Sequence, residues 1–154
     1  MISAGNDVVS LAAIDVTRTN QHKFYSKILS DSEIPLYNEF SLAQIPFENF
    51  VWLLWSIKES AYKFLQRHNP ALIFTPVRFV VSDLQIIFSM HLATFSNGAL
   101  EGTGFETVPY ISGTVSFADQ TVYCCSLLFD SFIHSVVNQA NEIGRASCRE
   151  RVCT

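Results

Sequence analysis

The sequence predicts an α+β domain in which one long helix packs on an antiparallel sheet. The helix is indicated by apolar residues that recur with the period of one buried stripe, namely Phe50, Leu53, Leu54, Ile57, Ala61, Phe64 and Leu65. The sheet is indicated by the chain after Pro70, where segments rich in Val, Ile, Phe, Thr and Tyr alternate with short polar breaks. Strands that follow a helix in one run are typical of the α+β class.

The long helix is expected to span about residues 47–68. Asn69-Pro70 ends it, because the residue before a proline is disfavoured in the helical conformation. Glu59 and Lys63 are four residues apart and therefore share one face of this helix. A pair with this spacing is most often a solvated salt bridge that contributes roughly 0.2–0.5 kcal/mol, so the spacing alone does not indicate a functional site.

The chain before the long helix is expected to contain a strand, a helix and a turn. The strand covers residues 8–11, with Asp7 at its start, and the helix covers about residues 13–28. A second short helix or turn follows at residues 31–35. On the residues alone, Asp7 could equally be a turn or capping aspartate.

The chain after Pro70 is expected to form four strands. They cover residues 72–81, 84–94, 107–117 and 121–129. Ala118-Asp119-Gln120 is the best candidate for a hairpin between the last two strands, and Asn97-Gly98 marks another turn.

Composition and motifs exclude several classes of function. A formal net charge of −4 argues against a general nucleic-acid binder. The four histidines lack zinc-site spacing, and the glycines form no phosphate-binding loop. No secretory pattern opens the chain, and no apolar run by the helix is long enough to cross a bilayer. We therefore expect a cytoplasmic protein without a nucleic-acid or membrane partner.

Residues 143–154 differ from the rest of the chain. They have no apolar period and resemble a translated sequencing adapter, so we expect a non-native tail after a domain of residues 1–142. Without this tail seven basic and thirteen acidic residues remain, which makes the net charge about −6.

Three motifs occur in order along the chain. They are Gly5-x-Asp7, the segment of residues 24–33 with the pattern Phe-x-x-Lys-x-Leu-Ser-x-x-Glu, and Trp55-Ser56-x-Lys58-Glu59-Ser60-x-x-Lys63. At this spacing they resemble the 4′-phosphopantetheinyl transferases. The resemblance implies a 4′-phosphopantetheinyl transferase-like fold. The family's C-terminal Ser-x-Ser-His segment has no counterpart here, since Phe117 stands at the histidine position. The domain is therefore expected to be incomplete at its C-terminus.

The resemblance implies a reaction and a set of site residues. The reaction is the Mg²⁺-dependent transfer of phosphopantetheine from coenzyme A to a serine of an acyl or peptidyl carrier protein, with release of adenosine 3′,5′-bisphosphate. Asp7 and Glu59 would hold the metal, as in the short holo-acyl-carrier-protein synthases, where two carboxylates suffice. Glu59 would also take the serine proton, and Lys63 would contact the phosphates. Lys58 is either a further diphosphate contact or a solvated lysine.

A basic cluster precedes the long helix and consists of Arg18, His22, Lys23 and Lys27. On charge grounds it is an ordinary solvated face. The resemblance instead implies a surface that faces the acidic carrier protein, for which electrostatic steering would be useful.

Two functional hypotheses therefore stand at this point. The first is the transferase, and the resemblance to short synthases adds a homo-oligomer, for example a trimer. The alternative is a non-catalytic, truncated remnant that binds coenzyme A or the carrier weakly, or only associates with itself through exposed sheet edges.

Overall fold

The computed structural model describes residues 4–39, 45–96 and 101–139. The expected tail at residues 143–154 and the expected turn at Asn97-Gly98 lie outside this part of the chain. The helices are α1 Val16–Thr19, α2 His22–Tyr25, α3 Ile34–Glu39 and α4 Phe47–Gln66. The strands are β1 Gly5–Ser10, β2 Val80–Ser96, β3 Glu101–Phe117, β4 Gln120–Leu128 and β5 Phe132–Asn138.

The strands form one antiparallel sheet in the order β1-β5-β4-β3-β2. Helix α4 packs on one face of this sheet, mainly against β1 and β5. In that region Asp7 of β1 lies opposite Ser135 of β5. The predicted α+β fold, with a long helix on an antiparallel sheet, is confirmed.

The core lies between α4 and the sheet. All seven residues of the predicted apolar stripe are buried, and they pack against sheet residues that include Val81, Val115, Ile133 and Val137. Complete burial of one such side chain contributes about 1.5–3 kcal/mol. Packing of this stripe therefore stabilises α4 far more than helix propensity does.

The single helix expected at residues 13–28 is wrong, because the structure has two one-turn helices, α1 and α2, instead. The Asp15 side chain caps α1 by accepting a hydrogen bond from the Arg18 N–H at 2.9 Å. At the other end, the Asn20 side chain donates to the Val16 carbonyl, and Gln21 is extended. Polar side chains that bond to nearby backbone in this way compete with helix continuation.

The strand expected at residues 72–81 is also wrong over most of its length. Strand β2 begins only at Val80, because Pro76 starts a 3₁₀ turn over Pro76–Arg78. The β3–β4 hairpin is found where it was predicted, with Phe117 opposite Gln120 and Ala118 in the left-handed region at φ 53°. Strand β5, between β1 and β4, was not predicted. None of the helices in the described residues has the length and apolar character needed to cross a bilayer.

Candidate active site

Strand β1 lies unusually close to α4 at Gly5. A Cβ atom at this position would clash with the carbonyl oxygen of Ser60 and would lie 2.9 Å from the backbone nitrogen of Phe64. Because both atoms belong to helix backbone, neither can move aside cheaply. Glycine therefore permits an approach that places Asp7, two residues further along β1, beside the flank of α4 that carries Glu59 and Lys63.

Three charged side chains lie close together where β1 contacts α4. The Nζ atom of Lys63 lies 2.9 Å from Oδ1 of Asp7 and 3.2 Å from Oε1 of Glu59. The same ammonium donates to the carbonyl of Asn6 at 3.3 Å. Since one ammonium contacts both carboxylates, the two acids converge on one point although they are 52 positions apart in sequence.

The two carboxylates stabilise the charge on Lys63. Partial burial acts to lower the pKa of this ammonium, but the hydrogen bonds and negative charges of Asp7 and Glu59 raise it above its ordinary value. Lys63 is therefore a permanent cation at neutral pH. Such a group is suited to stabilising negative charge on phosphate oxygens.

One carboxylate oxygen of Asp7 has no partner in the described part of the chain. Its side chain is only 9% exposed, and its Oδ2 atom has no hydrogen-bond partner among the described residues. Buried acceptors are almost always satisfied, so an unpaired carboxylate oxygen calls for an explanation. Together with the nearby carboxylate of Glu59, which is 27% exposed, it offers the oxygen ligands that Mg²⁺ prefers.

This donor set fits a magnesium ion bound mainly by water and substrate. No group of three or more His, Cys, Asp or Glu side chains converges within the described residues, so this part of the chain offers two carboxylates here. Mg²⁺ in phosphate-transfer sites is commonly held by one or two carboxylates together with substrate phosphates and waters.

Small polar residues lie between α4 and the sheet next to the site. Ser60 Oγ donates to the carbonyl of Ser56 at 2.8 Å and lies 3.2 Å from the carbonyl of Ser135. On the sheet, the hydroxyls of Ser126 and Ser135 are 2.7 Å apart. These compact side chains let α4 approach β1 and β5 closely, and their bonds join the helix to the strand that faces Asp7.

Lys58 does not join the cluster, and both expectations for it need correction. Its side chain is fully buried, and its Nζ atom lies 2.7 Å from Oε2 of the equally buried Glu33. Burial lowers the pKa of Lys58 below its ordinary value, while the charge and hydrogen bond of Glu33 act in the opposite direction. Lys58 is thus neither a solvated lysine nor exposed to a substrate, because its helical position points it away from Glu59.

The four residues of the basic cluster are all exposed, but they do not share one helix: Arg18 lies on α1, His22 and Lys23 lie on α2, and Lys27 lies in the turn after α2. The Arg18 guanidinium stacks 5.0 Å from the ring centroid of Phe24. The His22 ring contacts Tyr25 edge-on at 5.3 Å. Within the described residues, neither Lys23 nor Lys27 forms a salt bridge, so their charges are available to a partner.

A groove of about 460 Å³ lies between β1, the two short helices and α4, and its lining includes Val9, Arg18, Phe24 and Trp52. The Trp52 indole donates to Thr19 Oγ1 at 3.0 Å and so joins α4 to α1. Trp52 and Glu59 are seven residues apart, which places them on the same flank of α4, roughly 10 Å from each other along its axis. The groove and Glu59 therefore lie on one flank of α4, although neither Glu59 nor Asp7 is among the residues that line the groove.

Sequence reasoning did not identify the steric role of Gly5, the Glu33–Lys58 pair or the groove. Gly5 and Glu33 belong to the quoted motifs, so the motifs mark them without indicating what they contact. Only the three-dimensional packing of β1 against α4 reveals the contact that Gly5 makes. The Glu33–Lys58 pair joins residues that are 25 positions apart, and neither a periodic pattern nor a motif spacing relates them.

Comparison with known proteins gives one positive result. The family model described as the 4′-phosphopantetheinyl transferase superfamily matches residues 3–96. No curated protein and no solved structure is significantly similar to the chain. The match includes β1, all four helices and β2, and thus every candidate site residue. Members of this superfamily transfer phosphopantetheine and commonly use coenzyme A and a divalent metal. Since the match covers more than half of the length of this chain, the chain belongs to the 4′-phosphopantetheinyl transferase superfamily.

Proposed function

We propose that this protein transfers 4′-phosphopantetheine from coenzyme A to a serine of an acyl or peptidyl carrier protein in the presence of Mg²⁺. The observation that carries the proposal is the convergence of Asp7 from β1 and Glu59 from α4 on the ammonium of Lys63. This arrangement supplies two metal ligands, a base and a cation around one point. A surface salt bridge would not need the buried Oδ2 atom of Asp7, which has no hydrogen-bond partner among the described residues.

Each of these residues has a defined task in the proposed reaction. The serine oxygen attacks the phosphorus next to the pantetheine, and the bond from this phosphorus to the bridging oxygen breaks. Glu59 accepts the serine proton, which makes the oxygen a better nucleophile. Lys63 stabilises the charge that develops on the bridging oxygen, and this oxygen leaves as part of adenosine 3′,5′-bisphosphate.

Asp7 and Glu59 would together hold the magnesium ion. When bound, Mg²⁺ neutralises the negative charge of the diphosphate and aligns it for displacement. The free Oδ2 atom of Asp7 supports this assignment, because a cation would satisfy an acceptor that no described residue satisfies.

The groove and the basic cluster support a binding surface for the carrier protein. Carrier proteins of this class are acidic. Arg18 lines the groove beside the apolar side chains of Trp52 and Phe24, and His22, Lys23 and Lys27 are exposed within nine residues of Arg18 in the sequence. Positive charge beside an apolar groove suits an acidic partner helix with one apolar face. This surface would bring the carrier serine to Glu59 along the flank of α4.

Sheet edges support self-association of the transferase, for example as a trimer. Among the described strands, β1 and β2 are the two edges of the sheet, and each carries a largely exposed apolar residue, Val8 and Phe88 respectively. Unpaired strand edges are ready sites for association. Sedimentation velocity at several protein concentrations tests this part of the proposal, and a single monomeric species throughout would contradict it.

The experiment that tests the function is an intact-mass assay of an apo acyl carrier protein with coenzyme A, Mg²⁺ and the purified chain. We expect the carrier to gain the mass of one phosphopantetheine, and we expect a chelator or Asp7→Ala to prevent this gain. A matched control is Asp83→Ala, which removes an exposed aspartate on β2 and should leave the gain intact. A folded wild-type chain that gives no gain with any carrier would favour the non-catalytic alternative.

A further inference from the structure

A buried ion pair lies behind the candidate active site. It joins Lys58 of α4 to Glu33, which immediately precedes α3, and both side chains have 0% exposure. Lys58 is the direct neighbour of Glu59 in the sequence. The proposed reaction gives this pair no task, since it has no access to substrate.

The pair bonds mainly to the backbone of other segments. Glu33 accepts hydrogen bonds from the N–H groups of Ser30 and Val81, each at 2.7 Å. Lys58 donates to the carbonyl of Ile28 at 2.5 Å as well as to Glu33. Four parts of the chain therefore meet at two side chains: the end of the α2 region, the start of α3, the middle of α4 and the start of β2.

Stability alone is a poor explanation for this pair. Removing two charges from water is costly, and well-packed apolar residues of similar volume often stabilise a fold as well or better. The buried stripe of α4 contacts the sheet through apolar side chains, and apolar contacts have no preferred direction. Like the Trp52 bond to α1, the Ser60 bond to β5 and the Lys63 bonds to β1, the two Lys58 bonds are directional, and they resist rotation of the middle of α4.

Rotation of α4 would affect the active site at once. Consecutive helical residues are 100° apart, so the direction of Lys58 determines the direction of Glu59. On the other side, the contact of Gly5 with Ser60 and Phe64 leaves no free space for the helix to turn towards β1. We propose that Glu33 and Lys58 are positioning residues, which hold α4 at the rotation where Glu59 and Lys63 meet Asp7. The proposal rests on the proposed function only in so far as Asp7 and Glu59 bind metal.

The test compares the wild-type protein with the double variant Lys58→Met/Glu33→Gln. The single Lys58→Met variant would leave Glu33 charged and alone in the core, whereas glutamine is neutral and still provides an acceptor. Glu33→Asp is a second variant, which keeps the charge but shortens the side chain by one methylene. Glu33→Asp should weaken the contacts between β1 and α4 and the binding of Mn²⁺ less than the double variant does. It therefore keeps the proposal testable if the double variant does not fold.

Two readouts separate positioning from simple loss of stability. The first is the set of nuclear Overhauser contacts between Gly5 and the backbone of Ser60 and Phe64, which reports the geometry of β1 and α4 without any ligand. The second is the dissociation constant for Mn²⁺, measured by electron paramagnetic resonance. We expect the double variant to lose these contacts and to bind Mn²⁺ about tenfold more weakly, as for changes behind the ligands of other metal sites.

Ile57→Val is the matched control, because it loosens the buried stripe of α4 without removing a directional bond. It should lower the unfolding temperature and leave both readouts unchanged. Retention of the Gly5 contacts in a folded double variant would overturn the proposal. If the wild-type protein itself bound Mn²⁺ no better than Asp7→Ala, the proposed metal site would fail, and the Gly5 contacts alone would then decide whether the pair positions α4.

Discussion

Helix α4 carries two lysines that each contact a carboxylate from another part of the chain, yet the two sites differ in every other respect. Lys58 and Glu33 are fully buried, and both oxygens of Glu33 accept hydrogen bonds. Lys63 is partly exposed, bridges two carboxylates and leaves the buried Oδ2 of Asp7 without a described partner. The satisfied pair lies within the fold, and the unsatisfied cluster opens to solvent where a substrate can reach it.

This difference gives a criterion for separating structure from chemistry in one helix. A buried charge that serves the fold needs partners for all of its bonding groups, because an unpaired one destabilises the native state. A charge that serves a reaction must keep bonding capacity for the reactants. By this criterion we assign Glu33–Lys58 to the structure and propose Asp7–Lys63–Glu59 as the ligand site.

The largest expected effect is on catalysis. Glu59→Gln should lower the rate of phosphopantetheine transfer about 10²–10⁴-fold, because it removes the proposed base and a metal ligand. Its free energy of unfolding should change by less than about 0.5 kcal/mol, since Glu59 contributes a single partly exposed salt bridge. The measurements are initial rates by intact mass and urea unfolding.

Glu48→Gln is the control for Glu59→Gln, because it makes the same chemical change in the first turn of α4. It should retain the wild-type rate. Equal losses in the two variants would mean that the rate responds to helix charge in general, and the criterion would fail.

The next effect is on stability. Lys58→Met should lower the free energy of unfolding by about 3–5 kcal/mol, because it leaves the buried Glu33 without a counter-charge. Lys63→Met should lower it by less than about 1 kcal/mol, as expected of a partly exposed pair. Chemical denaturation of both variants tests the contrast. Similar losses in the two variants would remove the distinction between the buried and the exposed pair.

A smaller loss of stability is expected at the contact between β1 and α4. Gly5→Ala should destabilise the protein by about 1–3 kcal/mol and lower the transfer rate, because the new methyl group pushes β1 and Asp7 away from the helix. Gly113→Ala is the control. Its Cβ would chiefly meet the movable side chain of Leu84, and it lies away from the site. A Gly5→Ala protein with the wild-type rate would contradict the link between this contact and the site.

The smallest effect is expected at the basic cluster. Arg18→Ala should raise the KM for the carrier protein several-fold at low salt with little change in kcat, because exposed charges act mainly on association. The control is Arg78→Ala, since Arg78 also stacks on a phenylalanine, 5.3 Å from the Phe117 ring, outside the proposed carrier surface. An increase in KM that does not diminish at high salt would contradict electrostatic steering.

The sequence predicted the features of the protein that arise from periodicity and motif order. The apolar stripe of α4 and the β3–β4 hairpin were correct because each depends on local pattern and turn chemistry. The helix at residues 13–28 failed because the side chains of Asp15 and Asn20 bond to the backbone and divide it. Strand β5 was missed, although it is an internal strand of the sheet.

The site was predicted in part, and the reason is physical. The motifs marked Asp7, Glu59 and Lys63, and the fold brings these residues together. They also marked Lys58, but no local signal reveals that this lysine turns inward to meet Glu33. The direction of a side chain depends on the whole packing of α4, which one sequence does not encode in any short pattern.

The measurement that tests the central claim most directly is Mn²⁺ binding, detected by electron paramagnetic resonance. It compares the wild-type protein with the Asp7→Asn and Glu59→Gln variants. We predict one specific Mn²⁺ per wild-type chain and none in either variant, while Asp83→Asn binds like the wild type. Undiminished Mn²⁺ binding in both Asp7→Asn and Glu59→Gln would contradict the claim that these two carboxylates form the metal site of the transferase.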